Sequence, residues 1–155
     1  MSLHGRSFVI DGTNVTLLHG MAYPEVRYVL ALCDTLHKCG ATFDCFFDAS
    51  TRYIIQDHRA DQLDAFDRIT DPALASTHFY VVPSGTQADE YILRQAKNDG
   101  SDVISNDKYR DRAKHYRWIW KRRHHFEIKD GHLTLPSLEL AIAVLPKAEE
   151  YLCYP

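Results

Sequence analysis

Hydrophobic and polar positions along this chain switch repeatedly between two periods. The segment SFVIDG, residues 7–12, is a short apolar run closed by an acid and a glycine. That is the pattern of a buried strand running into a turn, with Asp11 at its carboxyl end. From Glu25 to Cys39, Val26, Val29, Leu30, Cys33 and Leu36 recur at helical spacing, and Gly40 stands at the stop position. ATFDCFFDAS predicts a second strand, FYVVPS a third and SDVISND a fourth. Helices fit between them from about Gln56 to Ile69 and from about Gln87 to Asn98. A further helix after Asn106 would carry Asp107 and Asp111 on one face. FEIKDGHLTLP alternates around Asp130-Gly131, the signature of a hairpin with a type I′ turn. The last segment, LELAIAVLPKAEEY, reads as a helix that Pro146 must end or kink. Strands separated by helices predict an α/β fold with a mainly parallel central sheet, whose ligands gather at the carboxyl ends of the strands.

At 155 residues, 45% hydrophobic and 25% charged, the chain suits a single globular domain over residues 1–155. Its longest apolar stretch, near Leu138 to Leu145, is too short to span a bilayer, so no membrane partner is expected. MSLHGRSF has no signal-peptide pattern, which makes a cytoplasmic location the expectation. Cys33, Cys39, Cys45 and Cys153 are spaced too widely for paired zinc ligands. They read as small buried hydrophobes, reduced in that compartment.

The net charge of −3 would argue against a polyanionic partner if it were spread evenly. Instead, Lys108, Arg110, Arg112, Lys114, Arg117, Lys121, Arg122 and Arg123 stand against Asp111 alone. Tyr109, Tyr116, Trp118, Trp120 and Phe126 interleave with them. Cations attract a phosphate backbone and aromatic rings stack on unpaired bases, so this stretch predicts a nucleic-acid path. Arg110, Lys114, Arg117, Lys121, Arg122 and Arg123 are the candidate substrate contacts, with some of the aromatics expected in the core. The histidines are scattered, and neither His124 nor His125 is assigned as a ligand or base.

The candidate chemistry lies in the acids. Asp11 and Asp107 follow strands, Asp89 opens a helix after the Pro83-Ser84-Gly85 turn, and Asp111 follows Asp107 by four residues. Singly, each has an ordinary explanation as a turn, cap or surface residue. Together they would converge on one sheet rim, where mutual repulsion calls for a hard cation such as Mg2+ or Mn2+. Such an ion activates water and neutralises a scissile phosphate.

VIDGTNV, ADEYILRQA and VISNDKYRD, in that order, resemble the NYN branch of the PIN-like nucleases, and most closely the Regnase-type ribonuclease domain of CCCH zinc-finger proteins. The resemblance implies a PIN-like Rossmannoid three-layer sandwich and magnesium-dependent endoribonuclease activity on RNA, taken here as single-stranded or loop RNA. It makes Asp11, Asp89, Asp107 and Asp111 the catalytic and metal-binding residues, with Asn14 as the polar residue that supports them; Asn106, beside Asp107, is a further site-support candidate. PIN-like domains often associate, so a homo-oligomer is a further expectation.

The chain departs from that pattern in places. Ala88 stands where the Regnase-type motif has a second acid, and Glu90 follows Asp89 instead. Asp48, ending FFDA, is either an added site-support residue or a turn residue. No CCCH finger follows within the sequence, so targeting by such a finger would come from elsewhere. The alternatives are a structure-specific DNA nuclease of the same superfamily and a non-catalytic RNA-binding module.

Overall fold

The computed structural model describes residues 2–73 and 78–151. Its central sheet has five parallel strands in the order β3-β2-β1-β4-β5. These are β1 (Ser7–Asp11), β2 (Thr42–Phe47), β3 (Phe79–Val81), β4 (Asp102–Ile104) and β5 (Arg123–His124). β1 lies at the centre, and alternation of side chains along it feeds two separate cores. Phe8 and Ile10 join one apolar cluster with Phe47, while Val9 joins the other with Phe46 and Val103. A strand buried on both faces needs the near-continuous apolar run that SFVID supplies.

The helices cover both faces and complete three layers. α1 (Gly12–Thr16), α2 (Val26–Lys38), α3 (Ser50–His58) and α4 (Leu63–Thr70) lie on the Phe47 side. α2 buries Val26, Val29, Leu30, Cys33 and Leu36 as its periodicity predicts, and ends with His37 and Lys38 where the helix dipole favours cations. α5 (Ala88–Asp99) packs Ile92, Leu93 and Ala96 on the opposite face, beside the short α6 (Ile119–Arg122). Gly100 closes α5 in the left-handed region at φ 76°.

A small antiparallel sheet of β6 (Glu127–Lys129), β7 (His132–Leu135) and β8 (Leu140–Ala143) adds Leu133, Leu135 and Ile142 to the α2-side core. The β6–β7 hairpin turns at Asp130 and Gly131, with φ 52° and 75°, both positive as a type I′ turn requires.

Three expectations change. The predicted Gln56–Ile69 helix is two helices broken at Arg59 (φ −144°), whose side chain pairs with Glu25 and Asp61. The expected C-terminal helix is instead β8, paired with β7, followed by a 3-10 turn at Ala148–Tyr151. Its short apolar run has no length advantage as a helix, and Glu139 at φ 55° stops helical propagation at its start. No helix follows Asn106: residues 105–118 form loop and turns until α6. Cys33 and Cys45 are buried free thiols and Cys39 is half-buried; Cys153 lies outside the described residues. Among the described residues, no helix is long and apolar enough to cross a membrane.

Candidate active site

The sheet's strand order reverses between β1 and β4, the switch point at which open α/β sheets bind ligands. Asp11 ends β1 there and caps α1, its Oδ1 accepting the backbone N–H of Asn14 at 3.2 Å. α1 begins without a linker because Gly12 lies against β2. A Cβ at that position would fall 2.7 Å from both Cys45 Sγ and the Phe47 ring. The glycine of VIDG is thus a packing requirement that fixes where Asp11 points.

Asp11 is 9% exposed. Its Oδ2 accepts hydrogen bonds from the hydroxyls of Ser105 (3.0 Å) and Tyr109 (3.1 Å). Burial pushes its carboxyl up to about 6; the three donors pull against that rise, and the negative charge of Asp48 adds to it.

The loop after β4 is built to present these donors. Asn14 Oδ1 accepts the backbone N–H of Asn106 at 2.7 Å. Asn106 also brackets Phe126 through both amide atoms, donating at 2.9 Å and accepting at 2.8 Å. Asp107 Oδ1 accepts from Tyr109 N at 2.7 Å, closing a local turn. Tyr109 is fully buried and sits at φ 51°, an unusual conformation for a bulky residue. Held there, its hydroxyl reaches Asp11.

A cavity of about 590 Å³ opens over this point. Asp11, Asp48, Asp89 and Asp107 all line it, together with Thr13, Asn14 and the Ser84–Gln87 turn. Asp48 Oδ1 accepts the N–H of Ala88 at 2.8 Å, at the start of α5, and its own N–H donates to Thr13 Oγ1 at 2.8 Å. Its carboxylate therefore positions the helix that carries Asp89 while facing the cavity. Arg112 Nε donates to Asp89 Oδ2 at 2.9 Å, and Arg112 also pairs with Glu90 and with Gln87 (3.0 Å).

The other predicted residues separate into groups. Asp111 is exposed and is not among the cavity-lining residues, because the chain that carries it is not helical. Arg110, Lys114, Arg117 and Lys121 are exposed. Arg122 and Arg123 are not free in that way. Arg122 donates to the carbonyls of Ala96 and Ser101 and stacks over Trp118 at 4.1 Å; Arg123 donates to the carbonyl of Ser105 at 3.0 Å. Both hold the fold together. Tyr109 and Phe126 are core, whereas Trp120 is exposed. His124 is held by Asp102 (2.7 Å) and Ser137 (2.6 Å), a structural role. Ser105, Tyr109 and Arg112 were not singled out from sequence as parts of the site. Ser105 could have been, since it leaves β4 beside Asp11.

The carboxylates and hydroxyls facing the cavity are hard oxygen donors, and the least solvated of them, Asp11, has no cationic side chain hydrogen-bonded to it among the described residues. Among the described residues, no three acidic, imidazole or thiol side chains are grouped to ligate one ion together. The set therefore suits a cation that takes one or two carboxylates and keeps much of its water.

Residues 4–139 match the profile of the Zc3h12a-like Ribonuclease NYN domain. "Endoribonuclease rege-1" of Caenorhabditis elegans is 30% identical over 117 residues, covering 68% of this chain. This chain spans 18% of the length of that curated relative. In fold it is similar to nuclear proteinaceous RNase P 2 (PRORP2) from A. thaliana, with a TM-score of 0.63 at 15% identity. That match covers 90% of this chain and 31% of the other. A second structure of PRORP2 from Arabidopsis thaliana gives a TM-score of 0.63 over 84% of this chain and 29% of the other, again at 15% identity. With the NYN profile matched along most of its length, the chain belongs to the Zc3h12a-like ribonuclease NYN domain family.

Proposed function

We propose that this chain is a divalent-metal-dependent endoribonuclease that hydrolyses phosphodiester bonds of single-stranded or loop RNA. The observation that carries the reading is Asp11: a buried carboxylate at the sheet's switch point, hydrogen-bonded by neutral donors and facing a cavity shared with Asp48, Asp89 and Asp107. Family membership supports RNA as the substrate class. Asp11, with one of Asp107, Asp89 or Asp48 as a second carboxylate, would hold a Mg2+ or Mn2+ ion that keeps most of its water. When bound, such an ion lowers the pKa of water and neutralises charge on the phosphate.

The chain's own residues supply the framework. Ser105, Tyr109 and the Asn14 backbone fix the rotamer of Asp11, so the carboxylate meets a cation without reorganising. Asn14 and Asn106 tie the β1 end to the β4 loop that bears Asp107. Arg110, Lys114, Arg117 and Lys121 form the exposed basic path for the phosphate backbone. Asp111, outside the cavity, would act only through a rearrangement of the 105–118 loop.

A gel assay on labelled single-stranded RNA, duplex RNA and single-stranded DNA tests the reading, each substrate with magnesium and with excess EDTA. Magnesium-dependent cleavage of single-stranded RNA that is lost in both Asp11→Asn and Asp107→Asn is the expected result. Cleavage that survives EDTA or both substitutions overturns the metal mechanism, and preferential cleavage of DNA overturns the substrate.

A further inference from the structure

A second concave surface lies on the α5 side of the sheet, beyond the part the helix covers. Asp44 and Phe46 project to the same face of β2, and Tyr80 of β3 is in register with Phe46. The Phe46 and Tyr80 rings stack at 5.1 Å between centroids and 26° between planes. Tyr91 of α5 stands 6.2 Å from Phe46 at 30°. Together with Arg94, Gln95, Asn98 and Asp99 they line a groove of about 480 Å³. Phe46 is its floor at 8% exposure, while Tyr80 remains 39% exposed above it.

Two elements lead from this groove to the carboxylate cavity. Ala88, which lines the cavity, falls on the same stripe of α5 as Tyr91, Gln95 and Asn98 (i, i+3, i+7, i+10). The stripe runs about 15 Å at 1.5 Å per residue, so Tyr91 stands about 4.5 Å along the axis from the cavity rim. From Tyr80, the chain passes through Val82 and Pro83 into the Ser84–Gln87 turn that also lines the cavity.

We propose that this groove is a nucleobase subsite, taking an unpaired base of the strand whose scissile phosphate lies in the carboxylate cavity. The assignment rests on the ribonuclease reading above. Near-parallel aromatic faces suit base stacking, which is tolerant of sequence. Asp44 and Asp99 disfavour a phosphate here. Their engagement with Tyr80, Gln95 and the Ser101 N–H leaves the Asn98 amide and Arg94 at the rim to meet the edge of a base.

The test uses the full chain and a fluorescein-labelled single-stranded RNA oligonucleotide of mixed sequence, with binding read by anisotropy in EDTA and cleavage in magnesium. Tyr80→Ala and Tyr91→Ala should each weaken binding roughly tenfold, as expected for one lost stack, and raise KM with kcat little changed. Tyr80→Phe and Tyr91→Phe should retain wild-type behaviour, and duplex RNA should bind all five proteins alike. In the unsubstituted protein, tyrosine ring resonances should shift upfield on adding the oligonucleotide, a reading that needs no variant to fold. Folded alanine variants with unchanged affinity and KM, or the absence of ring shifts, overturn the subsite. So does a concentration-dependent dimer that Tyr80→Ala disperses while RNA affinity is unchanged, since the groove then belongs to a second copy. A wild-type protein that binds the oligonucleotide through these tyrosines but cleaves no RNA would leave the subsite standing and remove the nuclease reading.

Discussion

Two acids in this fold are buried to nearly the same degree and treated in opposite ways. Glu25, before α2, is 6% exposed and accepts hydrogen bonds from Arg27 (2.8 and 2.9 Å), Arg59 (3.1 Å) and Gln62. Burial pushes its carboxyl up, but those hydrogen bonds and the two guanidinium charges bring it down to about 2. Asp11 accepts three hydrogen bonds from neutral donors, faces Asp48, and rises to about 6. An acid that serves only the fold is paired with cations, because an unpaired buried charge is costly. An acid held in place by neutral dipoles next to another acid is arranged to attract a cation from outside.

Exchanging the two roles by substitution gives the largest expected effect. Asp11→Asn should reduce magnesium-dependent RNA cleavage by roughly a thousandfold, the several kcal/mol that a mispositioned metal ion forfeits. It should leave the far-ultraviolet circular dichroism spectrum unchanged. Glu25→Gln should keep cleavage within about threefold yet lower the unfolding free energy by about 2 kcal/mol in urea titrations. That is less than the roughly 3–5 kcal/mol for breaking a buried ion pair, because Arg27 and Arg59 keep partial contact with water. If Glu25→Gln proves the more damaging to catalysis, the comparison is inverted.

The same contrast sets a pH dependence of opposite sign at each acid. Glu25 has a folded pKa below its ordinary value of 4.5, so its stabilisation is present above pH 4.5 and is lost as pH falls toward 2. Asp11 has a folded pKa above its ordinary 3.8, so its contribution is favourable at low pH and is lost as pH rises through about 6. In EDTA at pH 7.5, Asp11→Asn should therefore be more stable than wild type, by up to about 2 kcal/mol after allowing for weakened hydrogen bonds. The gap should close below pH 4, and magnesium should narrow it at pH 7.5 by stabilising wild type alone. Thermal unfolding across that pH series measures it; a variant no more stable than wild type at pH 7.5 removes the charge burden assigned to Asp11.

The strands at the rim were legible because a parallel sheet writes itself as apolar runs: SFVID and VISND place Asp11 and Asp107 at the carboxyl ends of their strands without further information. The path after Asn106 was not legible. KYRDRAKHYR has helical propensity and charge spacing, but tertiary demands override them: Tyr109 adopts positive φ to bring its hydroxyl to Asp11, and the turn at Asp107 stops the helix. The separation of the basic residues was hidden for the same reason. Nothing in WKRRHH distinguishes Lys121, which is exposed, from Arg122, whose guanidinium clamps α5 to β4. Glu25 was invisible as a structural acid because two of its three side-chain partners, Arg59 and Gln62, lie far along the chain from it and from Arg27.

Asp89 lies between the two extremes and gives the smallest predicted effect. It lines the cavity as Asp11 does, but Arg112 holds it and Glu90 much as Arg27 and Arg59 hold Glu25. A cation drawing on Asp89 competes with that guanidinium for the same oxygen atoms. Part of the pair is reached by water, so its worth is that of a modest ion pair, about 1 kcal/mol or less. Arg112→Ala should then lower the magnesium concentration for half-maximal cleavage by roughly two- to fivefold, with the maximal rate little changed. Magnesium titrations of initial rate, at RNA concentrations well above KM, separate this from a loss of substrate affinity. A half-saturation point that stays put or rises would mean that Arg112 orients Asp89 for the site instead of competing for it, and would move Asp89 to the Asp11 side of the comparison.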